Sequence, residues 1–268
     1  MKRPTIFVTN DDGIHSPGLR AAAEAALSLG KVVVCAPTRQ GTSMGRCLRG
    51  GKNEKLHPLD YEVGGQAVPA YHCDGSPAMA VKHGMDVLFP HEKPDLVIAG
   101  INYGENLSVH ITHSGTVGAA LQGSAYHVPA LAASVQTGFE NHFNYGELDW
   151  TAAIHFTGQF ARLLLQGNLP DDVDILNLNV PTNATAQTPW RITCLSRQAY
   201  YHSSIAGSTL DSRIGDAKLR IEIDRETLDP ESDIQALALD KVVSVTPLSL
   251  DLTARTDRKV LAQVFRHA

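Results

Sequence analysis

Thr5-Ile6-Phe7-Val8-Thr9-Asn10-Asp11-Asp12-Gly13 opens the chain with a short β-prone run that ends in an acidic turn. The run shows no strict polar alternation, the mark of a strand buried on both faces, as in a parallel sheet. Ser16-Pro17-Gly18 follows, a helix start with serine as cap and proline at the first helical position. The Ala-rich stretch from Leu19 to Leu29 carries that helix on, Gly30 stops it, and Val32–Ala36 is a second buried strand.

The same unit recurs outward from this start. Ser76-Pro77 opens a helix that Pro90 ends, and a strand over Asp95–Ala99 then runs into Gly100. Ser114-Gly115-Thr116 begins another helix through about Tyr126, followed by strands over Val128–Val135 and Ile175–Val180 on either side of a helix from Thr151 to Gln166. Strands alternating with helices predict an α/β fold with a mostly parallel sheet. From about Trp190 the pattern changes to isolated β-prone runs at Arg191–Leu195, Leu219–Ile223 and Val242–Val245. These read as a hairpin-bearing extension. The 201–234 stretch within it is either a subunit-contact arm or a loop, and a final helix over Thr256–Phe265 could return to the core.

Composition narrows the function. The 268 residues carry 23 Lys+Arg against 28 Asp+Glu, a net charge of −5, with no basic block. That balance excludes a protein that grips a nucleic-acid duplex by bulk charge. No apolar run approaches the roughly 18 residues that cross a bilayer, and the start of the chain has no signal-peptide core. Cys35, Cys47, Cys73 and Cys194 lack C-x-x-C spacing, so reduced thiols in a cytoplasmic protein are expected.

Ligands of open parallel sheets bind beyond the carboxyl ends of the strands. Three polar, Gly-rich segments follow strands here: Asn10–Gly13, Thr38–Gly45 and Gly100–Asn106. Asp-Gly alone is ordinary turn chemistry. Two adjacent carboxylates in a partly desolvated turn, however, need an opposing charge, and no Lys or Arg is close in sequence. Carboxylates, amides and hydroxyls make an all-oxygen set suited to Mg²⁺ or Mn²⁺. Ser114-Gly115-Thr116 at a helix start resembles a cradle for phosphate, by its N–H groups, its dipole and two hydroxyls, and simple N-capping by Ser114 is a compatible reading. His110 and His113 lack an H-E-x-x-H frame and receive no role, and His15 is placed at a pocket rim or on the surface. No P-loop, dinucleotide fingerprint or G-x-S-x-G elbow is present.

Taken together these segments resemble the SurE family of survival proteins, metal-dependent 5′-nucleotidases. The stretches that carry the likeness are Val8–Gly18, Ala36-Pro37 with Thr42–Gly45, Gly75–Ala78, Gly100–Leu107, Ser114–Ala120, Val245–Leu248 and Asp251–Thr253. The resemblance implies a Rossmann-like catalytic core over residues 1–185 and a C-terminal β-rich arm over 186–268 that exchanges between the subunits of a homodimer or homotetramer. It implies one divalent ion per subunit, Mg²⁺ or Mn²⁺, on Asp11, Asp12, Thr42 and Asn102. Catalysis falls to Asp11, Asp12 and Asn102, and phosphate binding to Asn106, Ser114, Gly115 and Thr116. The implied substrate is a nucleoside monophosphate.

Three positions depart from the family pattern: Thr42 where serine is usual, with Ser43 next to it; Met79 where aspartate normally follows Gly-[ST]-Pro-Ala; and Arg255 where histidine is frequent. One aspartate acts either as base towards water or as a nucleophile. Rival readings fare worse. A phosphate-switched receiver needs an aspartate at the end of the third parallel strand, where this chain has Gly100-Ile101-Asn102, and haloacid-dehalogenase phosphatases need D-x-D. A nucleotide-binding protein without catalysis is the remaining alternative.

Overall fold

The computed structural model describes residues 2–142 and 144–266. In chain order the first half comprises β1 (Thr5–Thr9), α1 (Pro17–Leu27), β2 (Lys31–Pro37), β3 (His57–Leu59), β4 (Glu62–Val63), β5 (Gln66–Ala67), β6 (Ala70–Cys73), α2 (Pro77–Leu88) and β7 (Leu96–Tyr103). The second half comprises α3 (Gly115–Ser124), β8 (Ala130–Val135), α4 (Thr151–Leu165), β9 (Ile175–Val180), β10 (Trp190–Ile192), β11 (Tyr201–Ser204), β12 (Lys218–Ile221), β13 (Val243–Leu248) and α5 (Arg258–Arg266).

Nine strands form one sheet in the order β10-β13-β9-β8-β7-β1-β2-β6-β3. Its centre is parallel, with β3 and β13 joining antiparallel to β6 and β9. The expected mostly parallel α/β architecture is therefore present. The short β3 and β6, which carry two histidines and a tyrosine, escaped the apolar-run reading. The sheet also continues past residue 186, because β10 and β13 are strands of it.

Side-chain alternation splits the core into two layers. Ile6 and Val8 point to the face covered by α1 and α4, where Leu19, Phe156 and Phe160 pack. Phe7 points to the other face, against Val81 and Met85 of α2 and Val117 of α3. Proline at the first turn and serine before it start α1 and α2 as the sequence suggested, and the Ser76 hydroxyl accepts from the Met79 N–H.

In the C-terminal part, β11 and β12 form an antiparallel hairpin, the expected extension. Its base packs on a small cluster of Leu107, Tyr200, Leu228, Ile234 and Leu237. α5 does not return to the core: none of its residues is buried. Both faces of the sheet are already covered by α1–α4, so Val260, Val264 and Phe265 stay exposed.

The chain runs outward from β1 through β2 and β6, then returns to β7 on the other side of β1. The carboxyl ends of β1 and β7 thus flank the switch point of the sheet, where open α/β sheets bind their ligands. α1 lies close above this point: a Cβ on Gly18 would sit 2.0 Å from the Ile101 carbonyl oxygen. Alanine favours a helix interior over glycine by about 1 kcal/mol, so propensity alone would make Gly18→Ala stabilising. The close approach is expected to reverse that sign and destabilise the fold by about 1–3 kcal/mol in urea unfolding. A raised midpoint would contradict this packing.

Candidate active site

Asp11 and Asp12 leave β1 in a turn closed by Asn10, whose side chain accepts from the Gly13 N–H and donates to the Gly13 carbonyl, both at 3.1 Å. Gly13 takes a φ of +102°, which suits glycine. Both carboxylates are almost wholly buried, at 4% and 2% exposure. Each is held by hydrogen bonds. The Thr116 hydroxyl donates to Asp11 Oδ1. The Tyr103 N–H donates to Asp12 Oδ2 at 3.3 Å, and Gln40 Nε2 to Asp12 Oδ1 at 3.1 Å.

Burial pushes Asp11 up to about 6, partly opposed by the hydroxyl and N–H of Thr116. Asp12 is raised well above the usual carboxylate range by burial and then by the charge of Asp11. Among the described residues no Lys or Arg forms an ion pair with either group.

Asn102 lines the same cavity as Asp11 and comes from β7. The pairing of β7 with β8 slips between Ala99 and Asn102, and Gly100 at φ +132° sits in that irregularity. The strand therefore runs on to Tyr103 where the sequence suggested a loop after Ala99. The Asn102 amide nitrogen donates to the Gly104 carbonyl at 2.7 Å and the Tyr103 carbonyl at 3.3 Å, so its oxygen is the atom left to face a ligand.

Asn106 is fixed from β9. Asn177 and Asn179 donate to its carbonyl at 2.9 and 3.0 Å, Asn179 accepts from its N–H at 2.8 Å, and its amide donates to Ser134 at 2.9 Å. Sequence reading passed over Asn177 and Asn179, although two amides inside a run otherwise apolar were a usable signal.

A cavity of about 310 Å³ opens here, within the range of small-molecule sites. Asp11, Thr42, Ser43, Asn102, Asn106 and Ser114 all line it, so the three polar segments meet as the sequence suggested. Thr42 and Ser43 both present hydroxyls, so the structure brings both alternatives for the loop position to the cavity.

Thr116 and Gly115 both lie against Asp11. Thr116 is fully buried with its hydroxyl on Asp11. A Cβ on Gly115 would lie 2.7 Å from Asp11 Cβ, and one on Gly118 would lie 2.1 Å from the Gly45 carbonyl. The two glycines let α3 press against the acidic turn and the Gly41–Gly45 loop. Ser114 caps α3 by accepting from the Val117 N–H at 3.1 Å, and its own O–H remains able to donate into the cavity.

Phe139, His142, Tyr201 and Leu219 line the cavity without any signal in the sequence, and Glu105 lines it from within the Gly100–Asn106 segment, where it received no role. His110 and His113 were set aside for want of a zinc motif, yet both face the cavity. His15 is on the surface and lines none of it. Met79 packs against Gly50 and Gly75, and Arg255 is exposed, so neither departure from the family pattern reaches the cavity.

The family model "Survival protein SurE" matches residues 6–202. A 5′-nucleotidase SurE from Thermococcus kodakarensis is 40% identical over 261 residues, covering 96% of this chain and 98% of that protein. Another, from Methanocella arvoryzae, is 38% identical over 267 residues and 97% of both chains. The crystal structure of the SurE protein from Aquifex aeolicus aligns with a TM-score of 0.76 at 30% identity, over 98% of this chain and 99% of that one. With a buried acidic pair at the sheet's switch point and likeness over nearly its whole length, the chain belongs to the SurE family.

Proposed function

We propose that this chain is a metal-dependent phosphomonoesterase that hydrolyses nucleoside 5′-monophosphates to nucleoside and phosphate. The observation that carries the reading is the pair Asp11 and Asp12: buried, adjacent, without a Lys or Arg ion pair among the described residues, and beside a cavity lined by amides and hydroxyls. The activity named for the Thermococcus and Methanocella relatives supports it.

The donor set fits one divalent ion. Among the described residues no group of three or more His, Cys, Asp or Glu side chains could hold a metal. A cation would therefore rest on the carboxylates of Asp11 and Asp12, the amide oxygen of Asn102 and a hydroxyl of Thr42 or Ser43. That all-oxygen set favours Mg²⁺ or Mn²⁺ over softer metals. Once bound, such an ion supplies Lewis-acid polarisation of a phosphoryl oxygen and a more acidic water.

The remaining work falls to the protein. Asn106, locked by Asn177 and Asn179, and Ser114 at the start of α3 hold phosphate oxygens and stabilise the charge that grows on them during transfer. Thr116 and Gly115 act one step back by fixing Asp11. Tyr145 fixes the other aspartate through its backbone, donating to the Asp12 carbonyl at 2.6 Å.

Exposed Leu210 and Ile214 near the hairpin and the bare apolar stripe of α5 support assembly into a homodimer or homotetramer. Among the described residues no helix is long and apolar enough to cross a membrane, in keeping with a cytoplasmic enzyme.

Two outcomes follow. Phosphate release from a panel of nucleoside monophosphates is expected with Mg²⁺ or Mn²⁺ and is expected to stop with EDTA. Asp12→Asn is expected to keep the native circular dichroism spectrum and lower turnover at least about a hundredfold, the scale set by losing preorganised charge at the site; a near-wild-type rate would contradict the assignment.

The metal-free protein has its own pH signature. Burial pushes Asp11 up to about 6 from the ordinary 3.8 and raises Asp12 as well, so as pH rises above about 4 the folded chain holds more protons than the unfolded one. The contribution of Asp11 to stability is full below 3.8 and is lost as pH rises through about 6. With chelator present, the urea midpoint is expected to fall between about pH 4 and pH 7, and Asp11→Asn to flatten that slope. An equal slope in the variant would show that other groups set it.

A further inference from the structure

We propose that Tyr201, on the C-terminal hairpin, is the stacking platform for the nucleobase and sets the preference for a nucleoside over a bare sugar. The assignment rests on the phosphomonoesterase reading and extends it to the other half of the substrate.

The cavity that Asp11 and Asn106 line has a second lining of different chemistry. Tyr201 there meets the rings of Phe139 and His142 at centroid distances of 5.8 and 6.2 Å. Oxygen donors suit a phosphate and a cation. Flat rings and an aliphatic side chain suit a π-face with no charge, which in a nucleotide is the base.

Hairpin geometry explains why Tyr201 faces inward. Residues two apart on a strand share a face, and Tyr201 and Ser203 of β11 both line the cavity. So does Leu219 of β12, the cross-strand partner of Ser203. The opposite face carries His202 with Glu222 and Ser204 with Arg220, a charged surface turned outward. Leu219 remains 49% exposed although it belongs to the cavity face, leaving apolar surface for a ligand to cover.

The ring is also within reach of the phosphate side. The Tyr201 hydroxyl donates to the Glu105 carbonyl at 3.1 Å, and Glu105 directly precedes Asn106. One loop therefore links the proposed base contact to the proposed phosphate contact.

The test is calorimetric binding of adenosine and of ribose, with Mg²⁺ present, to the wild type, Tyr201→Ala, Tyr201→Phe and Leu219→Asp. The wild type is expected to bind adenosine and not ribose. Tyr201→Ala is expected to weaken adenosine at least about tenfold, the size of one lost stacking contact. Tyr201→Phe keeps the ring, loses only the bond to Glu105, and is expected to stay within about threefold of wild type. Leu219→Asp changes a half-exposed position on the same face and is expected to weaken adenosine too.

The assignment is overturned if wild type fails to bind adenosine, if Tyr201→Phe falls as far as Tyr201→Ala, or if Tyr201→Ala binds adenosine as tightly as wild type. Phosphate release without adenosine binding would sink this assignment alone. Adenosine binding without phosphate release would sink the phosphomonoesterase reading instead.

Discussion

Two carboxylates held side by side out of water are the constraint around which this molecule is arranged. Asp11 and Asp12 are neighbours in sequence, each nearly inaccessible, and among the described residues no lysine or arginine pairs with them. Such a pair raises its own proton affinity and weakens the fold whenever both groups are charged. Nothing in packing requires it, since a turn after β1 could be built from neutral residues. The pair makes physical sense as the receiver of a positive charge from outside the chain.

Much of the surrounding structure serves to hold that pair still. α3 begins against Asp11, with glycine at 115 to permit the approach and Thr116 to bind the carboxylate. β7 carries Asn102 and the Tyr103 N–H to the same place through the slip in its pairing after Ala99. β9 contributes two buried asparagines that lock Asn106 rather than touch a ligand. Each is a supporting contact that narrows the freedom of a group at the cavity, which is how a protein fixes charge before a reaction begins.

The legible and illegible parts of the sequence divide along physical lines. β1 and its acidic turn, the serine-proline helix starts and the five central strands are local patterns, and each is present, although β7 runs on to Tyr103 past the end its residues suggested. The meeting of three distant loops was also readable, because strand order in parallel sheets brings carboxyl ends together. Orientation was not. That the start of α3 packs against Asp11 depends on how closely the helix approaches, and two glycines permit that approach. The aromatic wall of Phe139, His142 and Tyr201 comes from a loop and a hairpin that share no motif. The unpacked stripe of α5 shows the same limit, since an amphipathic pattern states that a partner is needed and not where it lies.

The central claim is that the acidic pair is a divalent-cation site, and direct binding tests it without reference to any reaction. Titration calorimetry of Mn²⁺ into chelator-treated protein should show one ion per chain in the wild type and none in Asp12→Asn. It should also show proton release on binding near pH 6, where Asp11 is still partly protonated. No binding to folded wild type, or equal binding to the variant, would contradict the account.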